Sequence, residues 1–186
     1  CGGGWGRGSV VGVFSGATRN SAGLWDGVEL VYGAGAASGD ESVRALLQKG
    51  GVGMFGDALG DGWPDETDRA NIAEGAAGVA RHMVLDPRVA FVSFSTFGYP
   101  VSERAEKMHL APEVLDRRGV SFEYEGEMTV DVALNIAAQE AYPFSRLTGP
   151  ANILIVPARH SASISVKLMQ EMGGATVVGP ILSGVD

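Results

Sequence analysis

Apolar runs of strand length alternate along the chain with stretches in which apolar residues recur every three or four positions. Short apolar runs are typical of buried strands, and the longer spacing is typical of helices that pack one face on a core. Their alternation predicts an α/β fold, a parallel or mixed sheet with helices on both faces. We expect six or seven strands.

The boundaries of the predicted elements follow from glycine, proline and polar residues between the apolar segments. Strands are predicted over 10–15, 52–55, 88–94, 120–124, 153–156 and 175–178. Helices are predicted over 20–32, 41–48, 64–83, 102–118, 129–138 and 161–172. Pro112 is expected to kink or split the helix over 102–118, and Gly119 is expected to end it.

The buried run "ILIV" that ends before Pro157 leads into a candidate site formed by His160, Ser161, Ser163 and Lys167. A helix that begins there brings its N–H groups to the carboxyl edge of the sheet, where open α/β sheets bind ligands. Amides, hydroxyls and an ammonium suit an anion. In the alternative reading, Ser161 only caps the helix and Lys167 is a surface lysine.

The spacing within this helix also predicts its orientation. His160, Ser163 and Lys167 recur at intervals of three and four, so they share one face. The apolar residues of the same segment are expected to hold the opposite face against the core; they are Ile164, Leu168 and Met172.

Two other strand ends carry small polar residues. "VSFSTFGYP" ends in Ser95, Thr96 and Gly98, which would let backbone amides approach a phosphate or a carbonyl. "SGATRNS" supplies three more candidates, Thr18, Arg19 and Asn20, with the arginine available to an anion. Each segment could equally be a plain turn or a helix cap.

Acid–base candidates are fewer. Glu123, Glu125 and Glu127 alternate in "FEYEGEM", a pattern more typical of the solvated face of a strand, and only Glu127 is kept as a candidate. His82 and His109 are interpreted as solvated helix residues. The chain contains no dinucleotide-binding, Walker or nucleophile-elbow motif.

Composition narrows the function classes. The 186 residues are 45% hydrophobic and carry a net charge of −8, which excludes a basic nucleic-acid surface. No apolar stretch reaches the about 18 residues of a membrane helix, so a cytoplasmic location without membrane contact is expected. Cys1 stands alone and the three histidines are far apart, so neither a disulfide framework nor a metal site is expected.

The first residues, "CGGGWGR", fit neither a helix nor a strand and are expected to be disordered or artefactual. With no initiator methionine, the chain is interpreted as cut from a longer protein. Apolar surface left exposed by that cut predicts self-association, and therefore a homo-oligomer.

Several motifs resemble the phosphate acetyl/butyryl transferases: "DPRVAFVSFSTFG", "FEYEGEMTVDVAL", "GPANILIVPA" and "SISVKLMQEMGGATVVGPILSG". "STFGYPVSERAEK" and "YPFSRLTGPANILIVPARHSASISVKL" look closest to the phosphotransacetylase-like domain at the C-terminus of bacterial NADP-dependent malic enzymes. The resemblance is strong over 86–184, looser over 8–81 and absent over 1–7.

The resemblance implies a two-domain α/β fold related to isocitrate dehydrogenases, with acetyl-CoA and phosphate bound between the domains. Residues 8–32 would end a mostly missing first subdomain, and 33–186 would form the second. The family's cleft lysine falls on Lys167, and its serine–threonine loop on Ser95 and Thr96. Its glycine–proline turn falls on Gly179 and Pro180.

Departures from the family pattern bear on activity. Where active transferases have an arginine, "GLWDG" offers Asp26, an acid that would repel phosphate. The second strand motif keeps Asp57 but loses its hydroxyl residue. The family's catalytic serine, arginine and aspartate would lie beyond Asp186, so catalytic residues are unknown and the chain alone is expected to be inactive.

Three hypotheses follow. The preferred one is a regulatory domain of a malic enzyme that binds acetyl-CoA or a related acyl-CoA. NADP and a divalent metal would then belong to another domain, with no cofactor in this chain. The second is a fragment of a working phosphate acetyltransferase, with phosphate or acetyl phosphate as a further ligand. The third is a non-catalytic module for subunit packing.

Overall fold

The computed structural model describes residues 9–11, 28–32, 52–58, 64–82, 85–173 and 176–181. The strands are β1 (Ser9–Val11), β2 (Val28–Tyr32), β3 (Val52–Ala58), β4 (Arg88–Val92), β5 (Glu123–Met128), β6 (Ile153–Ile155) and β7 (Thr176–Ile181). The helices are α1 (Glu66–His82), α2 (Glu103–Arg118), α3 (Val130–Leu134), α4 (Ile136–Gln139) and α5 (Arg159–Gly173).

All seven strands of the described ranges belong to one mixed sheet, in the order β5-β4-β6-β3-β2-β7, with β1 beside β3. Strands β5, β4, β6 and β3 pair in parallel, whereas β2 pairs antiparallel with both β3 and β7. The carboxyl ends of the four parallel strands therefore meet at one edge.

The sheet is covered by helices on both faces, as predicted. On one face, Val89 and Phe91 of β4 pack with Ile153 and Ile155 of β6 in a core shared with α1 and α2. On the other face, the alternate residues of the same strands join the second core, together with side chains of α3 and α5. These alternate residues are Ala90, Val92 and Leu154.

Helices α1 and α2 lie where the sequence predicts them. In α1, Asp65 Oδ1 accepts a hydrogen bond from the Asp68 N–H at 2.8 Å, which satisfies a donor of the first turn. Helix α2 ends at Gly119, which adopts the left-handed conformation. Pro112 does not split α2, which runs through it from Glu103 to Arg118.

The helix predicted over 20–32 is wrong where the structure describes it, because residues 28–32 form β2. Val28 and Val31 have helical spacing, but "VELVY" is also rich in the β-branched and aromatic residues that favour strands. Strands β3 and β7 pair with β2 on its two sides. Residues 20–27 and the helix predicted over 41–48 lie outside the described residues.

Other boundaries also differ from prediction, three of them near the candidate residues. Strand β5 begins and ends later than the predicted 120–124. The helix predicted over 129–138 is divided at Asn135, whose extended backbone ends α3 and whose side chain accepts the Ala137 N–H to cap α4. Strand β7 extends to Ile181, so Gly179 and Pro180 lie in a strand and not in a turn.

Gly126 lets β5 lie unusually close to β4. Its φ of +146° is rarely adopted by other residues, and an added Cβ would lie 2.7 Å from the Phe91 carbonyl oxygen. The pairing register shifts here, since Phe91 is opposite Gly126 but Val92 is opposite Met128. Glu127 is therefore the extra residue of a β-bulge.

Arg146 ties the irregular segment before β6 to β5 and α2. Its Nη1 lies 2.5 Å from Asp116 Oδ1, and its backbone N–H donates to Glu125 Oε2 at 2.9 Å. Tyr124 donates its hydroxyl proton to Asp116 at 2.6 Å, with the guanidinium 4.6 Å from its ring centre. These contacts close a four-residue polar cluster.

We expect Gly126→Ala to lower the free energy of unfolding by about 3 kcal/mol, because alanine would be strained at this φ and would collide with the Phe91 backbone. Urea denaturation measures the change. Gly78→Ala is the matched control, since a Cβ at this helix position meets no atom within 4 Å. The control should be stabilised by up to about 1 kcal/mol, and equal effects of the two substitutions would contradict the argument.

A second prediction concerns the ionisation of Tyr124. Burial, followed by the hydrogen bond to Asp116, raises the pKa of Tyr124 to about 12. The fold favours the neutral phenol, so this contribution to stability is complete below the ordinary tyrosine pKa of about 10. It is lost as the pH rises through about 12.

A titration of tyrosinate absorbance should therefore contain a late step that Tyr124→Phe removes. Asp116→Ala should lower the pKa of that step, because it removes the carboxylate that accepts the phenol proton. The same hydrogen bond lowers the pKa of Asp116. A Tyr124→Phe difference curve centred near pH 10 would contradict the assignment.

Candidate functional site

The candidate site lies at the carboxyl edge of the parallel strands. The loop after β4 contains Ser95, Thr96 and Gly98, and the turn after β6 leads into α5. Because β4 and β6 pair directly and in parallel, these two segments leave the sheet side by side. The third predicted junction, with Thr18, Arg19 and Asn20, lies outside the described residues.

Every backbone N–H of residues 96–99, in the loop after β4, has an acceptor within the protein. Thr96 and Tyr99 exchange hydrogen bonds between their N–H and C=O groups, at 2.8 and 3.1 Å. The Phe97 N–H donates to the Glu127 carbonyl oxygen, and the Gly98 N–H donates to the Glu127 carboxylate. Phe97 and Gly98 both have positive φ, which gives the loop its tight bend.

Glu127 is the centre of the site. Its side chain is fully buried, and Oε1 accepts hydrogen bonds from Ser95 Oγ at 2.7 Å and from the Gly98 N–H at 2.9 Å. Its Oε2 lies 3.0 Å from His109 Nδ1 on α2. A buried carboxylate is stable only when hydrogen bonds replace its hydration, and these contacts do so.

The hydroxyl residues of the loop are also paired. Ser95 is fully buried. Thr96 Oγ1 donates to Thr129 Oγ1 at 3.2 Å and accepts the Thr129 N–H at 3.1 Å. The roles of Ser95, Thr96 and Gly98 as ligand contacts stay predictions, because in this structure their donors are engaged by Glu127, Thr129 and Tyr99.

Sequence reasoning singled out Glu127 but missed its surroundings. Glu125, interpreted as part of a solvated face, is buried and binds Arg146. His109, interpreted as solvated, keeps 46% of its side chain exposed but contacts the buried Glu127 carboxylate. The bulge that turns Glu127 inward depends on the close approach of Gly126 to β4, which the sequence pattern does not show.

A groove of about 280 Å³ lies beside His109. The α2 residues that line it recur at helical spacing; they are His109, Pro112, Glu113 and Asp116. Its other walls are Glu125, Gly126 and Arg146, with the rings of Phe97 and Phe144. Those two rings meet nearly edge to face, with centres 4.8 Å apart.

Helix α5 begins at Arg159, so Ser161 lies within its first turn and donates its N–H to the Ala158 carbonyl. His160 and Lys167 are exposed and Ser163 is half-buried, on the face that their spacing predicts. Their ligand role, with that of Ser161, stays a prediction.

The apolar side of α5 was predicted wrongly. Ile164, Leu168 and Met172 are 60, 51 and 82% exposed, and among the side chains described in this helix Ala162 and Val166 are buried. Smaller side chains four residues apart form the packed face, which allows the helix to lie close to the sheet.

Gly179 and Pro180 are not next to the Ser95 loop. They lie in β7, which β6, β3 and β2 separate from β4. Their role at a cleft remains a prediction.

In the described ranges, no group of three or more histidine, cysteine, aspartate or glutamate side chains could hold a metal ion. None of the helices described is both long and apolar enough to cross a bilayer.

Known proteins resemble the chain along nearly its whole length. The NADP-dependent malic enzyme of Rhizobium meliloti is 44% identical over 179 residues, which cover 96% of this chain and 24% of that protein. The phosphate acetyltransferase of Bacillus subtilis is 34% identical over 184 residues, 88% of this chain and 56% of that protein. The chain thus spans only part of the length of these relatives.

A solved structure also resembles the chain. The EutD phosphotransacetylase from Staphylococcus aureus superimposes with a TM-score of 0.68 at 27% identity, covering 94% of this chain and 48% of that one. A family profile described as "Phosphate acetyl/butaryl transferase" matches residues 6–186. With that match extending over almost the entire chain, the chain belongs to the phosphate acetyl/butyryl transferase family.

Proposed function

We propose that the chain is a regulatory domain of an NADP-dependent malic enzyme and that it binds acetyl-CoA. Its similarity to the malic enzyme of Rhizobium meliloti, 44% identity over 96% of the chain, exceeds its 34% identity to the phosphate acetyltransferase of Bacillus subtilis. The proposal assigns NADP and the divalent metal to another part of the enzyme. That the protein is cytoplasmic and forms a homo-oligomer stays a prediction.

The observation that carries the proposal is the closed loop after β4. Every N–H of residues 96–99 has an acceptor within the protein, and the acceptor of Gly98 is the buried Glu127 carboxylate. A phosphate docked here would find no spare backbone donor and would approach a carboxylate. This supports a domain that binds an acyl-CoA over one that transfers its acyl group to phosphate.

Positive charge for the ligand is available on α5, the helix that follows the turn after β6. Acyl-CoA carries phosphate groups, which Lys167 and the first turn of α5 are suited to bind. His160 and Ser163 share the helix face with Lys167 and add hydrogen-bonding groups. The resemblance to the family's cleft lysine supports the same role for Lys167.

Calorimetry on the full-length protein that carries this chain tests the proposal, with acetyl-CoA, desulfo-coenzyme A and phosphate as separate ligands. Saturable binding of acetyl-CoA without binding of phosphate is expected. Binding of both, with formation of acetyl phosphate from acetyl-CoA, would identify a transferase instead. If the protein binds neither acetyl-CoA nor phosphate, subunit packing remains as the role of the chain.

Lys167→Ala is expected to weaken acetyl-CoA binding about tenfold, because it removes one charge-assisted contact to phosphate. The lysine is exposed, so the melting temperature should change little. Lys107→Ala is the control, since Lys107 is also exposed, lies on α2 and not on α5, and is not among the residues that line the groove beside His109. Equal affinities of the two variants would contradict the role of Lys167.

A further inference from the structure

Glu127 connects the loop at the edge of the sheet with the groove along α2. Its Oε1 holds the loop through Ser95 and Gly98, and its Oε2 holds His109, which lines the groove. One buried carboxylate therefore holds both the loop after β4 and the His109 imidazole.

The contacts define which nitrogen of His109 carries its proton. Glu127 Oε1 accepts hydrogen bonds from the Gly98 N–H and from Ser95 Oγ, and an ionised carboxylate can only accept at Oε2 as well. With Glu127 as the acceptor, His109 Nδ1 must be the donor across the 3.0 Å contact. In the neutral imidazole, Nε2 is then the unprotonated nitrogen and accepts a hydrogen bond.

The groove around this imidazole has mixed chemistry. The Arg146 guanidinium donates to Glu125 and Asp116, so its Nη1, Nη2 and Nε are engaged by carboxylates. The rings of Phe97 and Phe144 supply apolar wall. Such a groove suits a narrow apolar chain that carries an N–H donor. The arm of coenzyme A, an alkyl chain interrupted by amides, has that chemistry.

We propose that Glu127 is a positioning residue. It holds His109 in the Nδ1–H tautomer, so that Nε2 faces the groove as the acceptor for an amide N–H of a bound acyl-CoA. The inference rests on the proposed function, because it takes acyl-CoA as the ligand. It adds a second contact region, on α2, to the one expected on α5.

Glu127→Gln separates positioning from structure. The glutamine carbonyl oxygen can accept the same two hydrogen bonds from Ser95 and Gly98, which keeps the loop closed. Its NH2 group must then donate to His109 Nδ1, so the imidazole proton moves to Nε2. The groove would present a donor in place of an acceptor.

Nitrogen NMR of the full-length protein, labelled at histidine and compared with His109→Ala to assign the His109 signals, distinguishes the two tautomers. The wild type should give the Nδ1–H form for His109, and Glu127→Gln should give the Nε2–H form. His82 is the internal control, because its Nδ1 lies 2.8 Å from the Gly78 carbonyl oxygen and should keep its proton in both proteins. A wild-type His109 in the Nε2–H form would overturn the proposal.

Calorimetry with acetyl-CoA on the full-length protein tests the consequence for binding. Glu127→Gln should weaken binding about tenfold, because one hydrogen bond is lost and two donors, the His109 Nε2–H and the amide N–H of the ligand, would face each other. His109→Ala, at a partly exposed helix position, should fold and show a similar loss even if the buried substitution does not fold. Unchanged affinity in His109→Ala, or in a folded Glu127→Gln, overturns the positioning role.

Failure of the proposed function would look different. If the wild-type protein does not bind acetyl-CoA at all, both the proposed function and the ligand named here are wrong. If the wild type binds and both variants bind equally well, only the role of Glu127 and His109 is wrong.

Discussion

The arrangement of the candidate site depends on one interaction, the burial of the Glu127 carboxylate among donors from two other segments. The loop after β4 contributes Ser95 and Gly98, and α2 contributes His109. Without an acceptor at this point, a buried hydroxyl and a backbone N–H would lose their partner. The carboxylate therefore holds three segments in one arrangement, and the groove takes its shape from that arrangement.

Local chemistry explains which elements could be predicted from the sequence. Helices α1 and α2 carry their own start and stop signals, Asp65 and Gly119 among them, and β4 and β6 are apolar runs buried on both faces. Strand β2 could not be predicted in the same way. Its spacing allows either a helix or a strand, and partners far away in the chain decide between them.

The candidate site likewise has features that the sequence predicts and features that it does not. The spacing of His160, Ser163 and Lys167 predicts a shared helix face, and the ends of β4 and β6 predict a common edge. The pairing of Glu127 with His109 depends on a bulge at Gly126, and no periodicity predicts a bulge. The exposed apolar residues of α5 show a similar limit, because spacing identifies a stripe but not which of two stripes is packed.

The pairing of β2 with β7 has a consequence for the order of folding. Strands β4, β5 and β6, with the helices between them, lie within residues 88–155, so their contacts form over modest loops. Strand β7 pairs with β2, which lies near the other end of the described chain. Closing so long a loop costs more entropy, and such contacts form late. We expect the region around Glu127 to be in place before the opposite side of the sheet closes.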